Sequence, residues 1–415
     1  MDLLPFFDSS SSSESSSSSE SEEDDDVVIF RRSHAKIQGY IPTVVDTYCL
    51  SDFRSHFRIS RTSVEMIVNV LEHQYVVVRR RPPFPLRHAV LMTLWTLANQ
   101  ESFRGVGDRF GISKGNCHSI FITVCQLLCN KVQLWIRWPA PGFERVRILQ
   151  GFANLRRVVI IGTFAIIDGT HIGIPGPLND ESFYNRKGFH SVLAQIVCSF
   201  DYEIIDVFCG FPGSCHDARM WHESPLGLKL QEHAEEMLPE DSHILGDSAY
   251  PCTPTMLVPF KNDGHLTEQQ KNFNTVLSST RVVVEQTIGL LKCRLRRLRY
   301  LHIYNLSYAK FIITAACIIH NIRVKERSDG NENNIHDSDD SDVDDNGYDS
   351  GLDSISDNSD DDDLLYDDFL AEEGARDIEA DANAVPGAPY DRDAARAAGQ
   401  ARRLRIMQGL DMNGN

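Results

Sequence analysis

Residues 157–168 read Arg-Val-Val-Ile-Ile-Gly-Thr-Phe-Ala-Ile-Ile-Asp, an apolar run that stops at one carboxylate and is followed at once by Gly169-Thr170-His171. Its β-branched and aromatic content predicts a buried strand over Arg157–Asp168, with the acid in its C-terminal part. A lone carboxylate is costly to desolvate, so any fold built on this strand must compensate Asp168. Three compensations are open: a buried arginine partner, a backbone turn capped by the side chain, or a divalent metal shared with other acids.

The chain downstream supplies neighbours for that strand. Ser191–Phe200 and Glu203–Phe211 are further strand patterns joined by Asp201-Tyr202, which makes an antiparallel meander of three strands. A short helix begins near His216-Asp217, and a fourth strand at His243–Pro251 again carries an acid, Asp247, beside small residues. Asn272–Leu298 is a long helical stretch containing Glu285, and Tyr308–Arg323 is a last apolar helix. This order predicts a mixed α/β layer structure over 151–327.

Residues 51–150 are helical instead. Asp52 to Leu71 and Leu86–Ala98 have helical spacing, separated by the basic break Arg79-Arg80-Arg81-Pro82-Pro83. Phe103–Phe110, the turn Gly111-Ile112-Ser113 and Lys114–Leu128 form a helix-turn-helix pattern with Ser113 as N-cap. In that pattern Lys114 and His118 lie on the face that enters a DNA groove; the alternative is a helical bundle packed on the next domain.

Charge separates these segments from the ends. The chain of 415 residues carries a formal charge of −18, of which residues 1–50 hold −7 and residues 328–415 hold −19, so that 51–327 is basic at +8. The folding part thus favours an anionic partner such as nucleic acid, while the acidic pI describes the ends. The serine and acid run at 8–26 and the acidic tract at 328–372 are too poor in apolar groups to fold alone, so 1–50 and 328–415 are expected as disordered acidic tails. Asp391–Gln408 has the composition of a short C-terminal helix with a basic end at Arg402, Arg403 and Arg405. No apolar run is long enough to suggest a membrane span, and ten cysteines without a CxxC pair read as buried thiols of a reducing compartment.

Asp168, Asp217, Asp247 and Glu285 each follow or interrupt an apolar segment. If the first and fourth strands lie side by side, Asp168 and Asp247 project from neighbouring strand ends, and Glu285 approaches from the helix across them. Carboxylates this close raise each other's pKa unless a cation lies between them, and an oxygen-only donor set suits Mg²⁺ or Mn²⁺. Arg186 and Lys187, in a basic turn after the first acid, and Lys292, Arg294, Arg296, Arg297 and Arg299, at the end of the Glu285 helix, are expected to contact phosphates. Gly289, one turn past Glu285, leaves room for a close approach.

The strings IIDGTHIGIP, FYNRKGFHSVLAQIVCSFD, GFPGSCHDARMW, ILGDSAYP and VEQTIGLLKCRLRRL, in this order and within a likeness that covers roughly residues 52–325, resemble the PIF/Harbinger transposase family and nucleases derived from it. The resemblance implies a ribonuclease-H-like catalytic domain preceded by a helical region, and Mg²⁺- or Mn²⁺-dependent cleavage and joining of DNA at transposon ends. It also implies a nuclear protein that works with a separate Myb/SANT-like DNA-binding partner, with room for a homo-oligomer. Matched position by position, the first catalytic acid is Asp168 and the glutamate is Glu285. The middle acid is Asp247 or Asp217; strand order favours Asp247 as catalytic, with Asp217 as an additional metal-site acid. Gln286 stands where the family leads one to expect a basic residue.

Overall fold

The computed structural model describes residues 35–78, 84–177, 180–330 and 391–412. The serine and acid run at 8–26, the basic break at 79–83 and the acidic tract from 331 onward lie outside the described residues.

Among the described residues, seven α-helices precede the sheet: α1 (Tyr40–Thr43), α2 (Leu50–Phe57), α3 (Arg61–Val78), α4 (Leu86–Ala98), α5 (Phe103–Arg109), α6 (Lys114–Cys129) and α7 (Phe143–Ala153). The packed chain begins earlier than the expected boundary at 51, since Tyr40, Ile41 and Val45 are already buried. The α5–turn–α6 unit forms as the sequence predicts, with Ser113 accepting from Asn116 N–H at the start of α6. Along α6, however, Cys117, Ile120, Phe121, Val124, Leu127 and Leu128 are buried in the core. That core is shared with the sheet: it also contains Ile172, Val192, Ala194 and Ile196.

The sheet strands are β1 (Thr163–Gly173), β2 (Ser191–Cys198), β3 (Ile204–Pro212), β4 (His243–Leu245) and β5 (Met256–Leu257), in the order β3-β2-β1-β4-β5. β1 pairs antiparallel with β2 and parallel with β4, so the first and fourth strands are indeed neighbours at the centre. Helices α8 (Asp217–Glu223), α9 (Pro225–Glu232) and α10 (Ala234–Met237) lie between β3 and β4. After β5 come α11 (Glu268–Arg294), α12 (Ala309–Gly330) and α13 (Arg392–Met412). This five-stranded mixed sheet with flanking helices is the ribonuclease-H-like arrangement.

The first strand is shifted from its expected place. Gly162 takes φ +86°, and a Cβ there would stand 2.4 Å from the Asp241 carbonyl oxygen, so the chain turns at this point. Ile161, on the near side of the turn, is 69% exposed. β1 therefore starts at Thr163 and continues to Gly173, which puts Asp168 in mid-strand opposite Ile196 and not at a strand end.

Two helices cover the rest. α11 opens with a Thr267/Gln270 capping box and crosses β1 and β2. α12 is pinned to β3 by Asn321, whose Oδ1 accepts from Ile204 N–H (2.9 Å) while its Nδ2 donates to the carbonyls of Ile204 (2.6 Å) and Trp135 (2.9 Å). At the β5 edge, α13 packs as a 21-residue helix. Its Met407 is buried, Arg402 donates to Pro254 O (2.9 Å), and Arg403 donates to Pro259 O (2.9 Å) with its guanidinium 4.0 Å from the Phe260 ring centre. The C-terminal segment is thus part of the fold, closing a sheet edge that would otherwise expose unpaired backbone.

Candidate active site

Asp168 is compensated from two sides. Its Oδ2 lies 3.2 Å from Arg281 Nη2, both side chains being largely buried (18% and 14% exposed), and its Oδ1 accepts from Gly169 N–H at 2.9 Å. These are the arginine and the turn-like cap that the sequence left open, and they do not suffice. Burial pushes the Asp168 carboxyl up to about 7 against the pull of Arg281, and Asp247 and Glu285 add to the rise.

Asp217 is the first residue of α8, and its carboxylate stands against the middle of β1. A Cβ on Gly169 would be 2.1 Å from Asp217 Oδ1, so only glycine admits the acid there. Burial pushes Asp217 to about 7, followed by the charges of Asp247 and Asp168, while Arg186 and Arg281 oppose the shift. Its Oδ1 is buried and has no hydrogen-bond partner.

Asp247 lies two residues beyond β4, half-buried, with Oδ1 accepting from Ala249 N–H at 3.0 Å. Its charge is felt at both Asp168 and Asp217. Glu285 is exposed on α11, one turn after Arg281. The structure therefore gathers Asp168, Asp217 and Asp247, with Glu285 at the rim. Among the described residues, no three His, Cys, Asp or Glu side chains close to ion-holding distance.

The basic residues divide sharply. Arg186 and Lys187 are exposed on a turn held by buried Asn185, whose Oδ1 accepts from Lys187 N–H at 2.9 Å. Arg186 also hydrogen-bonds the His216 imidazole at the entry to α8, beside Asp217. The end of α11 faces inward, contrary to the expectation of phosphate contact. Lys292 Nζ donates to Thr170 Oγ1 and His171 O, both at 2.7 Å, and burial lowers its pKa to about 8. Arg294 is buried, and Arg297, 2% exposed, donates to Glu101 O (2.9 Å) and stacks over Phe103. Arg296 is half-buried and Arg299 exposed. In the helical layer Lys114 is exposed, whereas His118 is half-buried against Phe103 and Tyr308.

Sequence reasoning missed Arg281 and Tyr250. Arg281 precedes Glu285 by four residues, so the helical period could have flagged it. Tyr250 carries a buried, unpartnered hydroxyl within the field of Asp217, Asp168 and Asp247, for which periodicity offers no signal.

Asp168 on the central strand, the two further acids beside it and the glutamate on the crossing helix all fall within one stretch of the chain. Residues 167–321 match the DDE superfamily endonuclease family. Among curated proteins it is similar to "Putative nuclease HARBI1" of Rattus norvegicus, 29% identical over 230 residues, covering 54% of this chain and 63% of that protein. The Homo sapiens protein of the same name is 28% identical over the same shares. "Protein ALP1-like" of Arabidopsis thaliana is 25% identical over 292 residues, 65% of this chain and 70% of the relative. The chain thus spans less than two thirds of the length of the HARBI1 relatives. No solved structure matches it.

Proposed function

We propose that this protein is a Mg²⁺- or Mn²⁺-dependent DNA endonuclease of DDE transposase type, with Asp168, Asp247 and Glu285 as its catalytic acids and Asp217 as a further metal-holding acid. The observation that carries the reading is that Asp168 and Asp217 come together at the middle of β1 within the field of Asp247, where burial and neighbouring charge push both to about 7. Such a group of carboxylates is stable in its ionised form only with a cation.

The donor chemistry suits a hard divalent ion, around which the carboxylates would have to draw together. The donors are all carboxylate oxygens, and only the glycine at 169 leaves room for the Asp217 carboxylate among them. When bound, such ions activate a water and stabilise the leaving oxygen of a phosphodiester. The chain's own residues do the rest. Arg281 offsets the Asp168 charge in the metal-free fold and would give way to the ion. Lys292 ties α11 to the Thr170–His171 segment of β1, which keeps Glu285 in register with Asp168. Arg186 and Lys187, on a turn fixed from beneath by Asn185, hold backbone phosphates at the rim of the site.

The resemblance to Harbinger transposases extends this reading to transposon-end DNA, strand joining, a Myb/SANT-like DNA-binding partner and the nucleus. The direct test is cleavage of duplex DNA in Mn²⁺ by wild type, Asp168→Asn, Asp247→Asn and Glu285→Gln. Each variant is expected to lose at least about 10²-fold in rate; equal cleavage by all four proteins overturns the assignment. The Asp168–Arg281 ion pair supports a second reading, a DNA-binding adaptor whose acid is neutralised by arginine. Wild type that binds DNA but neither cleaves it nor binds Mn²⁺ would establish that alternative.

A further inference from the structure

Two buried polar groups near the centre of the sheet have no hydrogen-bond partner. Gln195 on β2 is 0% exposed, and neither its amide oxygen nor its amide nitrogen makes a hydrogen bond. The other group is Asp217 Oδ1.

Their proximity follows from two independent observations. Gln195 is the Cα partner of Gly169 in the antiparallel β1–β2 ladder. Directly opposed residues send their side chains to the same face, with Cβ positions about 5 Å apart. The place where a Gly169 Cβ would stand is taken by Asp217, whose Oδ1 and Cγ are 2.1 and 2.8 Å from it. Asp217 Oδ1 therefore occupies the position of the side chain opposite Gln195, and the glycine opens that space. A glutamine arm, with three rotatable torsions, spans such a gap. A buried amide left without hydrogen bonds is costly and rare, and a carboxylate oxygen is a strong acceptor for it.

We propose that Gln195 is the positioning residue for Asp217: a turn of its side-chain torsions brings Nε2–H to donate to Asp217 Oδ1, leaving Oδ2 to face a metal ion. The inference rests on the metal-dependent reading above and deepens it. It makes Asp217 a carboxylate whose orientation is set by the central strands, not only by the start of α8. An amide suits the task because it donates at every pH and brings no positive charge to compete with the cation. Groups that orient ligating side chains in this way are worth about 10- to 100-fold in metal affinity.

The test uses the full chain as wild type, Gln195→Met, Asp217→Ala and the double variant. Methionine keeps the length of the arm and removes both polar ends; Gln195→Leu is carried in parallel in case one variant folds poorly. Thermal unfolding without metal reads the contact itself. The Tm change caused by Gln195→Met in the wild-type background is expected to differ from that in the Asp217→Ala background. Strictly additive Tm changes overturn the inference. Mn²⁺ titration followed by electron paramagnetic resonance reads the role. Gln195→Met is expected to weaken Mn²⁺ binding about 10- to 100-fold, with no further loss when Asp217 is already alanine. Unchanged affinity overturns the positioning role. Wild type that binds no Mn²⁺ sinks the metal reading and the metal-holding role with it, whereas non-additive Tm changes would still establish the Gln195–Asp217 contact.

Discussion

Gly169→Ala is the smallest change that should damage the site. A methyl group there would lie 2.1 Å from Asp217 Oδ1, 2.8 Å from its Cγ and 3.2 Å from Oδ2. Non-bonded carbon contacts prefer roughly 3.5–4.0 Å, so the carboxylate must retreat by more than about 1 Å or the start of α8 must move. Overpacking of this kind costs about 1–3 kcal/mol. For a folded region of this size that corresponds to a Tm lower by roughly 2–10 °C. A displacement of about 1 Å in a catalytic group costs on the order of 10²-fold in rate. Thermal unfolding and single-turnover cleavage in Mn²⁺ measure both effects. Gly289→Ala serves as the thermal control, because a Cβ there meets nothing within 4 Å and replaces a helical glycine, so its Tm should rise slightly. A Gly169→Ala protein that unfolds and cleaves like wild type would refute the placement of Asp217 against β1.

Three further outcomes follow from the same structure. Burial holds Asp168, Asp217 and Asp206 at about 7 in the metal-free fold against an ordinary 3.8, so the unfolded chain ionises these groups first. The stability they contribute is fully present below about 4 and is lost as pH rises through about 7. In EDTA the wild-type Tm should therefore decline more steeply than that of Asp168→Asn between pH 5 and 7, and parallel profiles would contradict the argument. Arg186→Ala combined with Lys187→Ala should weaken DNA binding without changing sequence preference and reduce the slope of log K against log salt by about 2; an unchanged slope would remove the turn from the phosphate path. Deleting residues 391–415 uncovers the β5 edge and removes the Arg402 and Arg403 bonds to backbone carbonyls, so Tm should drop by several degrees, and an unaltered Tm would show that α13 contributes nothing to the fold.

Most strands and helices were legible because their apolar periods are long and uninterrupted. β2 and β3 were expected within about two residues of where they lie, and the Glu285 helix within about four. The start of β1 was not legible: Val158–Ile161 is as apolar as a strand, and only the close approach of the Asp241 carbonyl at Gly162 shows why the chain turns. The fourth strand was expected over His243–Pro251 but ends at Leu245, and β5, of two residues, is too short for a period to register; they form through pairing with β1 and with each other. Of the site, the acids stood out because each interrupts an apolar segment. The direction of the basic residues did not, because a string of arginines looks the same whether it meets phosphate or, as with Arg297, a backbone carbonyl and a phenylalanine ring. Gln195 was likewise hidden inside an apolar strand pattern, and only its lack of partners marks it.

The central claim is that the carboxylates around β1 form a metal site. Anomalous diffraction from crystals of the full chain grown with Mn²⁺ tests it most directly. The account predicts an ion held by Asp168 and Asp247, with Arg281 drawn away from Asp168. Crystals saturated with Mn²⁺ that show no ion at these carboxylates, and Arg281 still within about 3 Å of Asp168 as an intact ion pair, would contradict it.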